Sequence, residues 1–63
     1  MAFIKTNSEN EIGNWVTTTR EHSSLSGTFT KRSRVKIVDI DPIRGYAIED
    51  KYGNRIIEIG WVI

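Results

Sequence analysis

A chain of 63 residues makes one domain that buries only about 60% of the surface its unfolded form exposes, which excludes a deep catalytic cleft between two lobes. It has no cysteine, so neither a disulfide framework nor a thiolate zinc site can reinforce the core, and stability falls to apolar packing or self-association. Nine Lys and Arg against eight Asp and Glu leave a net charge of +1 at pH 7, too little for an overall field toward nucleic acid or anionic lipid.

The opening stretch "MAFIKTNSEN" lacks the apolar run of a signal peptide, and no segment reaches the ~20 apolar residues of a membrane span. A cytoplasmic location with no membrane contact is expected. Residues 1–11 read as an N-terminal arm, flexible or pairing, ahead of a single domain. Within "SENE" the spacing of Ser8 and Glu11 is that of a capping box, and Ile12, Trp15, Val16 and Thr19 match a helical stripe. Against a helix stand Gly13 and three consecutive threonines, so "NWVTTT" is read as a strand in preference, with Trp15 in the core. "REHSSLSGTFTKRS" then becomes a long polar loop anchored by Leu25 and Phe29, with His22 solvated in it.

Next comes "SRVKIVDIDP", a strand with Val35 and Ile37 facing in and Arg34 and Lys36 facing out. Regular alternation would turn Val38 and Ile40 outward, which predicts a bend or bulge near Val38 or Asp39. Pro42 cannot donate to a ladder and suits the connection "DPIRG". "RGYAIED" and "NRIIEIGW" form the closing hairpin around "KYGN", where Gly53 is expected at positive φ and Asp50 prepares the turn. With Lys51 to Asn54 as the loop, Ile48 falls opposite Ile57, Tyr46 opposite Ile59 and Arg44 opposite Trp61. Tyr46, Ile48, Ile57, Ile59 and Trp61 then share one face, and Glu49 and Glu58 the other.

A strand, a long loop, "SLSGTFTKRSRVKIVDID", a turn and a hairpin ending at "GWVI" resemble the order of the Src-homology-3-like (SH3-like) small β-barrels of bacterial or phage type, over roughly residues 12–63. In that family a leucine-containing segment and a "KKG-E-R" type turn lead into a "hydrophobic, x, I, V" strand, which Leu25, Phe29, Lys31 and Arg34 to Val38 imitate. The resemblance implies an all-β barrel of about five strands over residues 1–63 with a C-terminal three-stranded meander. Bacterial and phage members are often small binding accessories. The tyrosine-rich "ALYDY" strand and paired tryptophan of the peptide-binding members are replaced here by "WVTTTRE" and a lone Tyr46, so no polyproline groove is carried over.

Catalysis finds little to work with. His22 is the only histidine, which removes a two-histidine metal site, and Asp39, Asp41, Glu49 and Asp50 are spread along strand ends as solvated turns are. No nucleophile elbow or phosphate loop surrounds any serine or threonine. A non-catalytic binding module without metal or cofactor is therefore expected, its partner a protein or a second copy of the chain. Tyr52, Ile56, Trp61 and Val62 are the candidate protein-binding residues, with Ile43 and Ile63 also exposed and Trp61 part core, part surface. Nucleic acid is the alternative partner, contacted by Lys31, Arg32, Arg34, Lys36, Arg44 and Arg55; equally, these cations could cover the outer face of an edge strand.

Overall fold

Six strands form among the residues that the computed structural model describes, 10–25 and 27–63, with β-branched and aromatic side chains strongest in the central ones. They are β1 Trp15–Thr17, β2 His22–Ser24, β3 Gly27–Phe29, β4 Arg34–Asp41, β5 Gly45–Glu49 and β6 Arg55–Ile56. No helix forms among the described residues, so the preference for a strand at "NWVTTT" holds. Nearly all of the expected arm, with Ser8 of the capping box, lies outside them. None of these elements is a helix long and apolar enough to cross a membrane.

One antiparallel sheet has the order β1-β4-β5-β6, and β2 pairs with β3 in a second. The consecutive pairing of β4, β5 and β6 is the expected three-stranded meander. A barrel of about five strands is not what the hydrogen bonds draw: the described strands form two separate sheets, and the long polar loop is itself a hairpin. The hairpin lies against β6 through β2. Its tip carries Leu25 fully into solvent, so of the two expected anchors only Phe29 is buried.

Register explains which side chains meet. Val16 lies opposite Val35, and Ile37, Ile48 and Ile56 form one row across three strands. Val35, Ile37, Ile48 and Ile56, with Phe29, Tyr46 and Ile63, are the buried core, and the half-buried Val16 packs against it. Between Ile37 and Asp39 the register slips by one residue, placing a bulge at Val38, where the failing alternation predicts it.

A second slip corrects the closing hairpin. Asp50 N–H donates to Asn54 O at 2.9 Å, so Asn54 joins the ladder, the loop is Lys51 to Gly53, one residue shorter than expected, and Ile48 meets Ile56, not Ile57. Beyond β6 the chain takes up the extra residue at Glu58, whose φ is 61°, and returns to the expected pairing: Ile59 N–H donates to Tyr46 O at 3.0 Å. Consequently Ile56 is 6% exposed and Ile57 61% exposed. Gly60 then crosses so close to Gly45 that a Cβ on Gly45 would strike the Gly60 backbone.

Two further expectations are corrected by long-range contacts. Val16 and Thr18 take the inward positions of the first strand, which turns Trp15 outward with 43% of its surface exposed. His22 is buried rather than solvated, because its Nε2–H donates to the backbone oxygen of Ile63 at 2.7 Å, and Thr19 N–H reaches the same oxygen at 2.9 Å. Ile63, expected at the surface, is buried by this docking.

Candidate binding groove

Thr18 builds one wall of the site from inside. Its hydroxyl donates to Thr30 O at 2.9 Å and accepts from Ser33 N–H at 2.8 Å, while its backbone oxygen accepts from Arg32 N–H at 2.9 Å. The turn Lys31–Arg32 is thereby fastened to the end of β1. Arg32 holds a φ of 67°, a left-handed conformation that glycine adopts without strain and that costs a side-chain-bearing residue on the order of 1 kcal/mol.

From this turn β4 starts with its cations outward. Arg34 lies opposite Thr17 and donates to its hydroxyl at 3.2 Å; Lys36 lies opposite Trp15, with Nζ 5.9 Å from the ring centroid. The other wall is the β5–β6 turn, where Lys51 Nζ stands 5.1 Å from the ring centroid of Tyr52, which is 77% exposed. Asp50 organises that turn. One carboxylate oxygen accepts from the N–H groups of Tyr52 and Asn54, each at 2.9 Å, and the other from Asn54 Nδ2 at 2.9 Å. The Asn54 side-chain bond, with those backbone amides, holds the Asp50 carboxyl below the ordinary carboxylate range.

Trp15, Phe29, Arg34, Asp50, Lys51 and Tyr52 line a single open groove. Two exposed rings, each beside an ammonium, thus face a channel with Arg34 on the strand between them. Attraction between a cation and an electron-rich ring face accounts for both lysine positions.

The six expected nucleic-acid contacts divide. Lys31, Arg32, Arg34 and Lys36 keep their charges unanswered by any carboxylate within ion-pair distance among the described residues. Arg44 instead pairs with Glu58 at 2.7 Å, and Arg55 with Glu49 at 2.9 Å. The Glu58 hydrogen bond raises the Arg44 pKa, while the backbone N–H groups of Arg44 and Ile43 lower that of Asp41. Nor is β4 an edge strand, since β1 and β5 flank it, so edge protection does not account for its cations.

The four expected protein-binding residues do not form one patch. Ile56 is in the core, and Tyr52 and Trp61 sit at opposite ends of β5. Trp61 packs edge-on against Tyr46, centroids 5.3 Å apart at 75°, and remains half exposed beside the exposed Val62. The groove residues that the sequence reading missed are Trp15 and Lys51, and with them the buried Thr18 that fastens the basic turn. Strand alternation puts Trp15 on the face opposite Val16 and Thr18 but does not say which face is inward, so the sequence held no signal that decides it.

Among the described residues no three His, Asp or Glu side chains converge in a way that could hold a metal ion. No family model, curated protein or solved structure matches the chain.

Proposed function

We propose that the chain is a non-catalytic binding module on an SH3-like fold whose two sheets do not close into one hydrogen-bonded barrel, cytoplasmic, which docks a macromolecular partner in the groove between Trp15 and Tyr52. The observation that carries this reading is the pair of exposed aromatic rings on opposite walls of one groove, since aromatic side chains supply much of the binding energy where they are desolvated. The SH3-like part of the reading is supported by the strand order, the long hairpin between β1 and β4, and the last residue reaching back to Thr19. Its non-catalytic part is supported by what the titratable groups already do. His22 is occupied by Ile63, Asp39 by the N–H of Ile40, Asp41 and Asp50 by their turns, and Glu49 by Arg55.

A second surface, for a protein partner or a second copy of the chain, is supported by a separate observation: Ile57, Trp61 and Val62, outside the groove, are all exposed over the last seven residues. Two measurements distinguish the surfaces. Immobilised protein exposed to an extract, with and without nuclease, is expected to retain a partner that Trp15→Ala with Tyr52→Ala loses; retention by that double variant would overturn the groove. Light scattering reads self-association, and a parent dimer that Trp61→Ala dissociates would move the interface to the C-terminal residues.

A further inference from the structure

We infer that the groove takes single-stranded nucleic acid, two bases lying on the faces of Trp15 and Tyr52 while phosphates meet Arg34, Lys36 and the Lys31–Arg32 turn. This rests on the binding-module reading above and names its ligand class.

Charge is the first reason. Five of the nine Lys and Arg residues, namely Lys31, Arg32, Arg34, Lys36 and Lys51, belong to the groove and its margin, in a chain whose net charge is only +1. Ion pairs neutralise Arg44 and Arg55 elsewhere, yet leave these five without a carboxylate partner among the described residues. Asp50 is the one acid lining the groove, and its oxygens are taken by the amides of its own turn. An anionic ligand is the complement of such a channel.

The rings narrow the anion to one with flat, unstacked bases. Each ring face is open enough for an ammonium to stand over it, 5.9 Å from Trp15 and 5.1 Å from Tyr52. A base that slides onto the ring displaces that ammonium, which then meets the phosphate of the same nucleotide. Stacking and charge neutralisation therefore come from one movement, without a polar group left unpaired. An acidic peptide would answer the charge but leave the ring faces unused.

Spacing argues for a single strand over a duplex. Trp15 stands on β1 and Tyr52 in the turn after β5, with β4 between them, so their backbones lie about two strand spacings, roughly 10 Å, apart across the sheet. That is well beyond the ~3.4 Å between stacked bases of one strand, so bases held on both rings are splayed apart. Sheet surfaces that bind single-stranded RNA through aromatic side chains use the same arrangement. Arg32 fits the picture as well, since a long cationic side chain occupies a left-handed position where glycine would be unstrained.

The test is fluorescence anisotropy of a labelled short oligothymidine titrated with the protein at low salt. Binding is expected, with Trp15→Ala and Tyr52→Ala each weakening it about ten-fold. Trp15→Phe and Tyr52→Phe, which keep a ring, are expected to hold most of the affinity. Arg34→Gln with Lys36→Gln should flatten the logarithmic salt dependence by about 0.7 for each phosphate that is no longer neutralised. Melting curves check that each variant is folded. No binding by the folded parent, equal affinity for a duplex of the same length, or equal displacement by polyglutamate would each overturn the inference. If oligothymidine fails while the extract experiment still returns a partner that depends on Trp15 and Tyr52, the ligand class is wrong and the groove stands; if both fail, the groove falls with it.

Discussion

Ile56 and Ile57 are identical side chains at neighbouring positions, and strand geometry lets only one of them face the core. The five-residue turn from Asp50 to Asn54 selects Ile56, which joins Ile48 and Ile37 in one buried row. Replacing Ile56 or Ile48 with Ala should cost about 2–5 kcal/mol, from the transfer energy forgone and the cavity left behind. The same change at Ile57, which stands in solvent, should stay within about 0.5 kcal/mol. Urea denaturation of the three variants reads the difference directly, and a severe loss at Ile57 would show that the hairpin has the longer loop, Lys51 to Asn54. Thr18 makes a similar point with a polar side chain. Its position in a run of three threonines gives no hint of burial, yet its hydroxyl both donates and accepts beneath the basic turn.

Among the elements, the two turns flanking β5 depend on one carboxylate each. Asp41 accepts the N–H groups of Ile43 and Arg44, and Asp50 binds Asn54 and Tyr52. Both carboxyls have folded-state pKa values below their unfolded ones, Asp41 chiefly through the Arg44 amide and Asp50 chiefly through the Asn54 side chain. A depressed acid stabilises the fold above its unfolded pKa, near 4, and that contribution is lost as pH falls through the folded value. The melting temperature should therefore drop as pH falls below about 4. Asp50→Asn should melt lower than the parent at neutral pH and lose less on acidification; parallel curves for the two would remove Asp50 from the acid response. Asp50 was legible in the sequence as a turn-former, and so was the need for Gly53, whose φ is 86°. The turn's length was not, because Asn54 can either end the loop or begin the strand until Asp50 captures it.

For the whole molecule, the closing contacts join residues far apart in sequence. Gly60 passes directly over Gly45, Trp61 lands on Tyr46, and Ile63 brings the last residue to Thr19 and His22. Gly45 has a φ of 87°, and a methyl group there would collide with backbone rather than with a movable side chain. Gly45→Ala is therefore expected to unfold the domain or detach its last residues, seen as a collapsed melting transition or as reduced protection of the Tyr46 amide in hydrogen exchange. A parent-like transition with Tyr46 still protected would mean that the crossing is looser than this. What the sequence determined by itself is the local part: the all-β class, the long strand β4 with its bulge at Val38, the meander after it and the glycine of the last turn. Each follows from alternation or from φ preferences within a few residues. Tertiary structure alone decided that Trp15 faces out, that His22 is buried and that Arg44 and Arg55 are neutralised while Arg34 and Lys36 are not. Those outcomes turn on partners 6 to 41 residues away, such as Glu49 for Arg55 and Ile63 for His22, and a side chain's own neighbours along the chain carry no record of which distant group will reach it first.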